Sequence, residues 1–113
     1  MKITMVKKIL EDGNECKKCR EVSERLQAHN EMTKIDRVAY ADVRQPDSDG
    51  FKLAEKHNMD TTPFFIVEDE QGETVYRTYL ELRKHAFKQD PDEQDVEIEK
   101  KRQAPPEDDM FFL

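Results

Sequence analysis

Cys16-Lys17-Lys18-Cys19 holds the only two cysteines of the chain, three positions apart. The pair falls where a strand-like run hands over to a helix. That spacing lets the first sulfur sit exposed at a helix N-terminus, with the second about one turn behind it, so the two can open and close as a disulfide. Three chemistries are compatible with the residues: a dithiol redox couple, half of a metal site, or two incidental thiols. A metal bound within the chain needs more ligands. No second CxxC exists, and His29, His57 and His85 follow no Cys2His2 finger spacing. The reading therefore assigns no metal and no cofactor.

A thiolate, not a thiol, attacks a disulfide. A cysteine at the start of a helix faces unpaired N–H groups and the positive end of the macrodipole, which favour the anion. Lys17 and Lys18 add positive charge and are taken as substrate contacts, while Glu11, Asp12 and Glu15 oppose them. The expectation is a lowered pKa at Cys16. Cys16 would attack the substrate disulfide, and Cys19, deeper in the helix, would displace the reduced product. The second element is Thr61-Thr62-Pro63, which opens the apolar run Phe64-Phe65-Ile66-Val67. Proline donates no hydrogen bond and is confined to strand starts and edges. A cis Thr62–Pro63 bond would set the Thr62 backbone across from the CxxC, free to pair with an extended substrate.

These residues need a scaffold. Residues 2–10 read as a first strand, and Glu11-Asp12-Gly13-Asn14 as a turn. From Cys16 to about Met32 the chain reads as a helix, with Cys19, Val22 and Leu26 on one face. Residues 35–43 read as a second strand, Pro46 to Gly50 as a loop with N-cap residues, and residues 51–57 as a short helix offering Phe51, Leu53 and Ala54 to the core. Phe64 to Val67 is the best candidate for a fully buried central strand. Residues 68–73 form a turn, residues 74–79 a hairpin partner, and residues 80–88 a last helix. Tyr40, Tyr76 and Tyr79 read as ordinary strand residues. The order β-α-β-α-β-β-α supplies crossovers for parallel strands and ends in a tight turn. The fold class is α/β, a central mixed four-stranded sheet flanked by helices. It would put the CxxC at the sheet edge where open α/β folds place their sites.

CxxC after the first strand, Thr62-Pro63 some 44 residues after Cys19, a Gly-containing hairpin and a last helix together resemble the thioredoxin-fold superfamily over residues 2–88. The resemblance implies a thioredoxin-like fold with Cys16 as nucleophile, Cys19 as resolving thiol, and a cis Pro63 that helps hold the substrate backbone. The chain departs from thioredoxins proper, which carry Trp-Cys-Gly-Pro-Cys, since it has no tryptophan. It departs from glutaredoxins in lacking Cys-Pro-Tyr-Cys and a Gly-Gly turn after the proline strand.

The 113 residues are 40% charged, with a mean hydropathy of -1.00. The acidity is local. Residues 89–113 carry nine acidic and three basic side chains, or -6 of the chain's net -7, leaving -1 for residues 1–88. The division is thus a domain over 1–88 and an acidic tail over 89–113. The tail ends in Met110-Phe111-Phe112-Leu113 after Glu107-Asp108-Asp109. Such an end is expected to dock in a hydrophobic groove of the body or of a protein partner. No basic patch with interleaved aromatics points to nucleic acid. No signal peptide or membrane segment is read, and a cytoplasmic setting favours a catalytic or metal-binding cysteine pair over a structural one. The expected activity is thiol–disulfide exchange on a protein disulfide or a small-thiol substrate. The alternative is a thioredoxin-like interaction or redox-sensing module without turnover.

Overall fold

The computed structural model of the protein describes residues 1–89. Residues 90–113, with the acidic tail and its apolar end, lie outside the described residues. The elements run β1 (Lys2–Ile9), α1 (Lys17–Ala28), a 3-10 turn (Met32–Lys34), β2 (Arg37–Asp42), α2 (Asp49–Lys56), β3 (Phe64–Asp69), β4 (Gly72–Tyr76) and α3 (Tyr79–Glu81). The last helix widens into a π-helical turn over Leu82–Ala86. The α/β class and the mixed four-stranded sheet expected from the sequence are both present.

Strands lie in the order β2-β1-β3-β4. β1 runs parallel to β2 with Val6 opposite Ala39, and antiparallel to β3 with Met5 opposite Phe65. β3 and β4 form an antiparallel hairpin with Phe65 opposite Tyr76. Because side chains alternate across a sheet, the apolar run of β3 serves two cores at once. Phe65 and Val67 join Ile3, Met5, Val22, Leu26, Tyr79 and Leu82 on the α1/α3 face. Phe64 and Ile66 join Val6, Ala39, Ala54 and Met59 on the α2 face. All four residues from Phe64 to Val67 are buried, as a central strand requires.

Several boundaries differ from the sequence reading. α1 stops at Ala28, where Asn30 takes a φ of 56° and the Glu31 N–H donates to Leu26 O at 2.8 Å. α2 begins at Asp49 rather than 51, since Gly50 must lie against β2: a Cβ there would fall 2.2 Å from Ala41 N. The Ser48 hydroxyl accepts from Asp42 N–H at 3.0 Å, tying the helix start to the end of β2. Tyr79 is not a strand residue. It opens α3 after the Thr78 cap, is fully buried, and donates its hydroxyl to Glu31 Oε1 at 3.2 Å. Arg83 meets the same carboxylate, so a buried ion pair fastens the last helix to the loop after α1. Among the described residues, no helix is long and apolar enough to cross a membrane.

Candidate active site

The loop between β1 and α1 delivers Cys16 by folding back on its own strand. Gly13 takes a φ of +86°, a left-handed conformation that glycine adopts without a Cβ clash. Its N–H donates to Leu10 O at 2.9 Å, and the Leu10 N–H donates to Asn14 O at 2.8 Å. The Asp12 carboxylate accepts from the Asn14 N–H at 3.0 Å, which holds its pKa below the usual value. Glu15 then pairs with Ile9 in an isolated bridge, and its carboxylate meets Lys7 Nζ at 2.7 Å. The Cys16 N–H donates to Lys8 O at 2.9 Å.

That placement makes Cys16 the N-cap of α1, with extended backbone (φ -60°, ψ 154°). Its sulfur accepts from the Cys19 N–H at 3.2 Å, the task a serine or aspartate oxygen usually performs. Cys19 Sγ accepts in turn from the Lys8 N–H at 3.4 Å. The main chain of Lys8 therefore touches both cysteines, the amide of one and the sulfur of the other. From the far side of the sequence, Thr62 Oγ1 lies 3.7 Å from Cys16 Sγ, and the Thr62–Pro63 bond is cis. Three separated segments thus meet at one point: the end of β1, the start of α1 and the residues leading into β3.

The site departs from the sequence reading in access and in electrostatics. Cys16 was expected to be exposed and Cys19 more buried, but both are free thiols at 0% exposure. Thr62 is also 0% exposed, so its backbone is covered rather than open to a passing chain. The Cys16 pKa is raised above its ordinary 9.0, not lowered. The hydrogen bond with the Cys19 side chain is the largest cause, followed by burial and then by the charge of Cys19; the Cys19 N–H and the Thr62 hydroxyl act in the opposite direction. The Cys19 N–H at the helix start does favour the anion. Removal from water and a second sulfur alongside outweigh it.

The lysines between the cysteines separate. Lys17 is exposed, whereas Lys18 is buried at 4% exposure with Nζ 3.8 Å from Glu21. Glu15, taken as an opposing charge, is compensated by Lys7. Sequence reasoning did not identify Lys7 and Lys8 as members of the site. Their signal was two consecutive lysines at the end of a strand otherwise bound for the core, where both prove buried. The histidines are engaged with other partners: His29 with Arg25 at 3.1 Å, His57 with Glu73 at 3.2 Å, and His85 stacked on Tyr76. Among the described residues, no group of three or more His, Cys, Asp or Glu side chains is placed to hold a metal ion. In comparisons with known proteins, no family model, no curated protein and no solved structure matches the chain.

Proposed function

We infer that the protein is a thiol–disulfide oxidoreductase of thioredoxin-like architecture, with a strand order of β2-β1-β3-β4 in which β3 alone runs against the rest. The observation that carries this reading is the convergence on Cys16 Sγ of the Cys19 N–H, at 3.2 Å, and Thr62 Oγ1, at 3.7 Å. The Cys19 N–H and the Thr62 hydroxyl both act to lower the Cys16 pKa, against the larger opposing effects of Cys19 and burial, and the anion they favour is the species exchange requires. In the proposed cycle the Cys16 thiolate attacks one sulfur of a substrate disulfide. A mixed disulfide forms, and the other substrate sulfur leaves as a thiolate that takes up a proton. Cys19 then attacks Cys16 Sγ, closes the Cys16–Cys19 disulfide and releases the second substrate sulfur as a thiol. An external dithiol returns the protein to its starting state. Lys17 is exposed on the first turn of α1, beside the pair. Lys18 acts from inside, as part of the field around the pair. The substrate is a protein disulfide or a small disulfide, in a cytoplasmic setting.

The complete burial of both sulfurs favours one other reading, a redox-sensing or interaction module that closes its disulfide without turnover and whose C-terminal segment binds a protein partner. A redox titration against defined dithiothreitol or glutathione buffers, with alkylation of the free thiols, tests the first reading. A reversible two-electron transition between Cys16 and Cys19, with turnover on insulin disulfides, is the expected result. The transition without turnover leaves the sensing module. Absence of any intramolecular disulfide would falsify both redox readings.

A further inference from the structure

β2 forms one edge of the sheet, and among the described residues no strand lies on its outer side. Its main chain alternates between the two sides. The Val43 N–H, just past the strand, donates inward to Ile9 O at 3.0 Å, whereas the Asp42 N–H turns outward and donates to Ser48 Oγ, also at 3.0 Å. Strand periodicity then aims the N–H and C=O of Val38 and Tyr40 away from β1 as well. The run Val38-Ala39-Tyr40-Ala41 has no charge, proline or glycine, which are the usual guards of a sheet edge. β4, at the opposite edge, carries Glu73. The side chains of β2 divide likewise. Ala39 faces α2, in the core shared with Ala54, so Val38 and Tyr40 face the other side of the sheet. Tyr40 is one of two large apolar side chains exposed among the described residues, at 45%. α2 meets this edge at its start, where Gly50 lies against Tyr40 and Ala41, and then runs inward, where Ala54 packs with Val6 and Phe64.

We propose that β2 pairs antiparallel with β2 of a second copy of this chain, joining the two sheets about a two-fold axis at Ala39. The occupant is a second copy because the strand supplies both halves of each pair, as a self-complementary interface requires. Centred on Ala39, the register sets Val38 opposite Tyr40 of the second copy, and Tyr40 opposite its Val38. These are the residues whose main-chain groups point outward, so each pairing exchanges two hydrogen bonds. Each also places a β-branched side chain against an aromatic one, a favourable cross-strand pair. On the α2 face Arg37 comes opposite Ala41 of the second copy, beside Asp49 at the start of its α2. Arg37 meets Asp49 of its own chain at 3.1 Å, so opposite charges adjoin across the axis. A register centred on Tyr40 would instead set Val38 opposite Asp42, whose N–H is held by Ser48. The Ser48 contact ends the open edge and confines the pairing to the strand. Asp36 and Asp42 approach at its margins, each with a donor in place: the Ile3 N–H for Asp36 and Arg44 for Asp42.

The test is sedimentation velocity of the full chain over a range of concentrations, under reducing conditions so that Cys16 and Cys19 cannot link chains. A monomer–dimer equilibrium is expected, weakened about tenfold or more in Tyr40→Lys, which removes both aromatic pairs and sets a positive charge on the edge. The register is read by cross-linking in a Cys16→Ser, Cys19→Ser background. Val38→Cys and Tyr40→Cys chains, mixed and oxidised, should link to each other faster than either links to itself. This readout decides the matter if near-UV circular dichroism shows that Tyr40→Lys is not folded. A monomer at every concentration, or no preference for the mixed link, would overturn the proposal. A dimer indifferent to a folded Tyr40→Lys would also overturn it, and would place the interface on another surface.

Discussion

Cys16 is held by forces of opposite sign, and this makes its reactivity adjustable. The Thr62 hydroxyl and the Cys19 N–H draw its pKa down, while Cys19 and burial push it up by more. Replacing Thr62 with valine keeps the shape and removes the donor, so the Cys16 thiol should rise further. Iodoacetamide alkylation, followed against pH, should be slower in Thr62→Val at every pH below the wild-type midpoint, with its curve displaced to the alkaline side. A superimposable curve would mean that the 3.7 Å contact has no electrostatic consequence. Cys19→Ser should accumulate a mixed disulfide on Cys16 when offered a substrate disulfide, while Cys16→Ser should accumulate none. Mass spectrometry under non-reducing conditions distinguishes them. The residue types and spacing of this site were legible in the sequence, as Cys16, Cys19, Thr62 and Pro63 do converge. Their exposure was not, because burial of a sulfur at a helix start depends on what other segments bring against it. Thr62 reaches Cys16 across 46 positions of sequence, and no local pattern reports that closeness.

Elements are fastened to one another at two points where substitution should be costly. Gly50 is the point of contact between α2 and β2, with the Ala41 nitrogen and Tyr40 carbonyl carbon 2.2 and 2.3 Å from where a Cβ would stand. Both are backbone atoms and cannot rotate away. Gly50→Ala should therefore displace α2 and destabilise the protein by roughly 1–3 kcal/mol or more, despite alanine's better helix propensity. A urea midpoint at or above that of the wild type would contradict this packing. The second point is Glu31 with Arg83 and Tyr79, where Glu31 and Arg83 are only 3% and 5% exposed. Glu31→Ala leaves a buried guanidinium without its carboxylate and should cost about 3–5 kcal/mol. The loss should exceed that of Tyr79→Phe, which removes only one hydrogen-bond partner of Glu31, at about 1 kcal/mol. Sequence patterning found the strands and α1 because their periodicity is local. It placed α2 late because Gly50 reads as a loop residue until its neighbour across the sheet is known. It misread Tyr79 because an aromatic residue three positions beyond a strand continues the apolar–polar run, and only the Thr78 cap and the Glu31 contact draw it into a helix.

At the scale of the whole molecule, the dithiol links folding to pH. Unfolding returns Cys16 to its ordinary pKa of 9.0, below the raised value it has in the folded dithiol protein. Below pH 9 the thiol is protonated in both states and the full stabilisation is present. As pH climbs past 9 the unfolded chain loses its proton while the folded one keeps it. Stability then falls toward the folded pKa, by at most about 1.4 kcal/mol per pH unit for each such group. Lysines and tyrosines also titrate in this range, so wild type alone does not isolate the effect. Cys16→Ser does: it retains an N-cap oxygen for the Cys19 N–H and has no proton to lose there. Urea unfolding of both proteins under reducing conditions at pH 7, 8.5 and 10 should give a stability difference that is flat between the first two values. At the third it should shift in favour of Cys16→Ser. Parallel pH dependences would mean that the thiol ionises as easily inside the fold as outside it, and the site would then be more open to water than its burial implies.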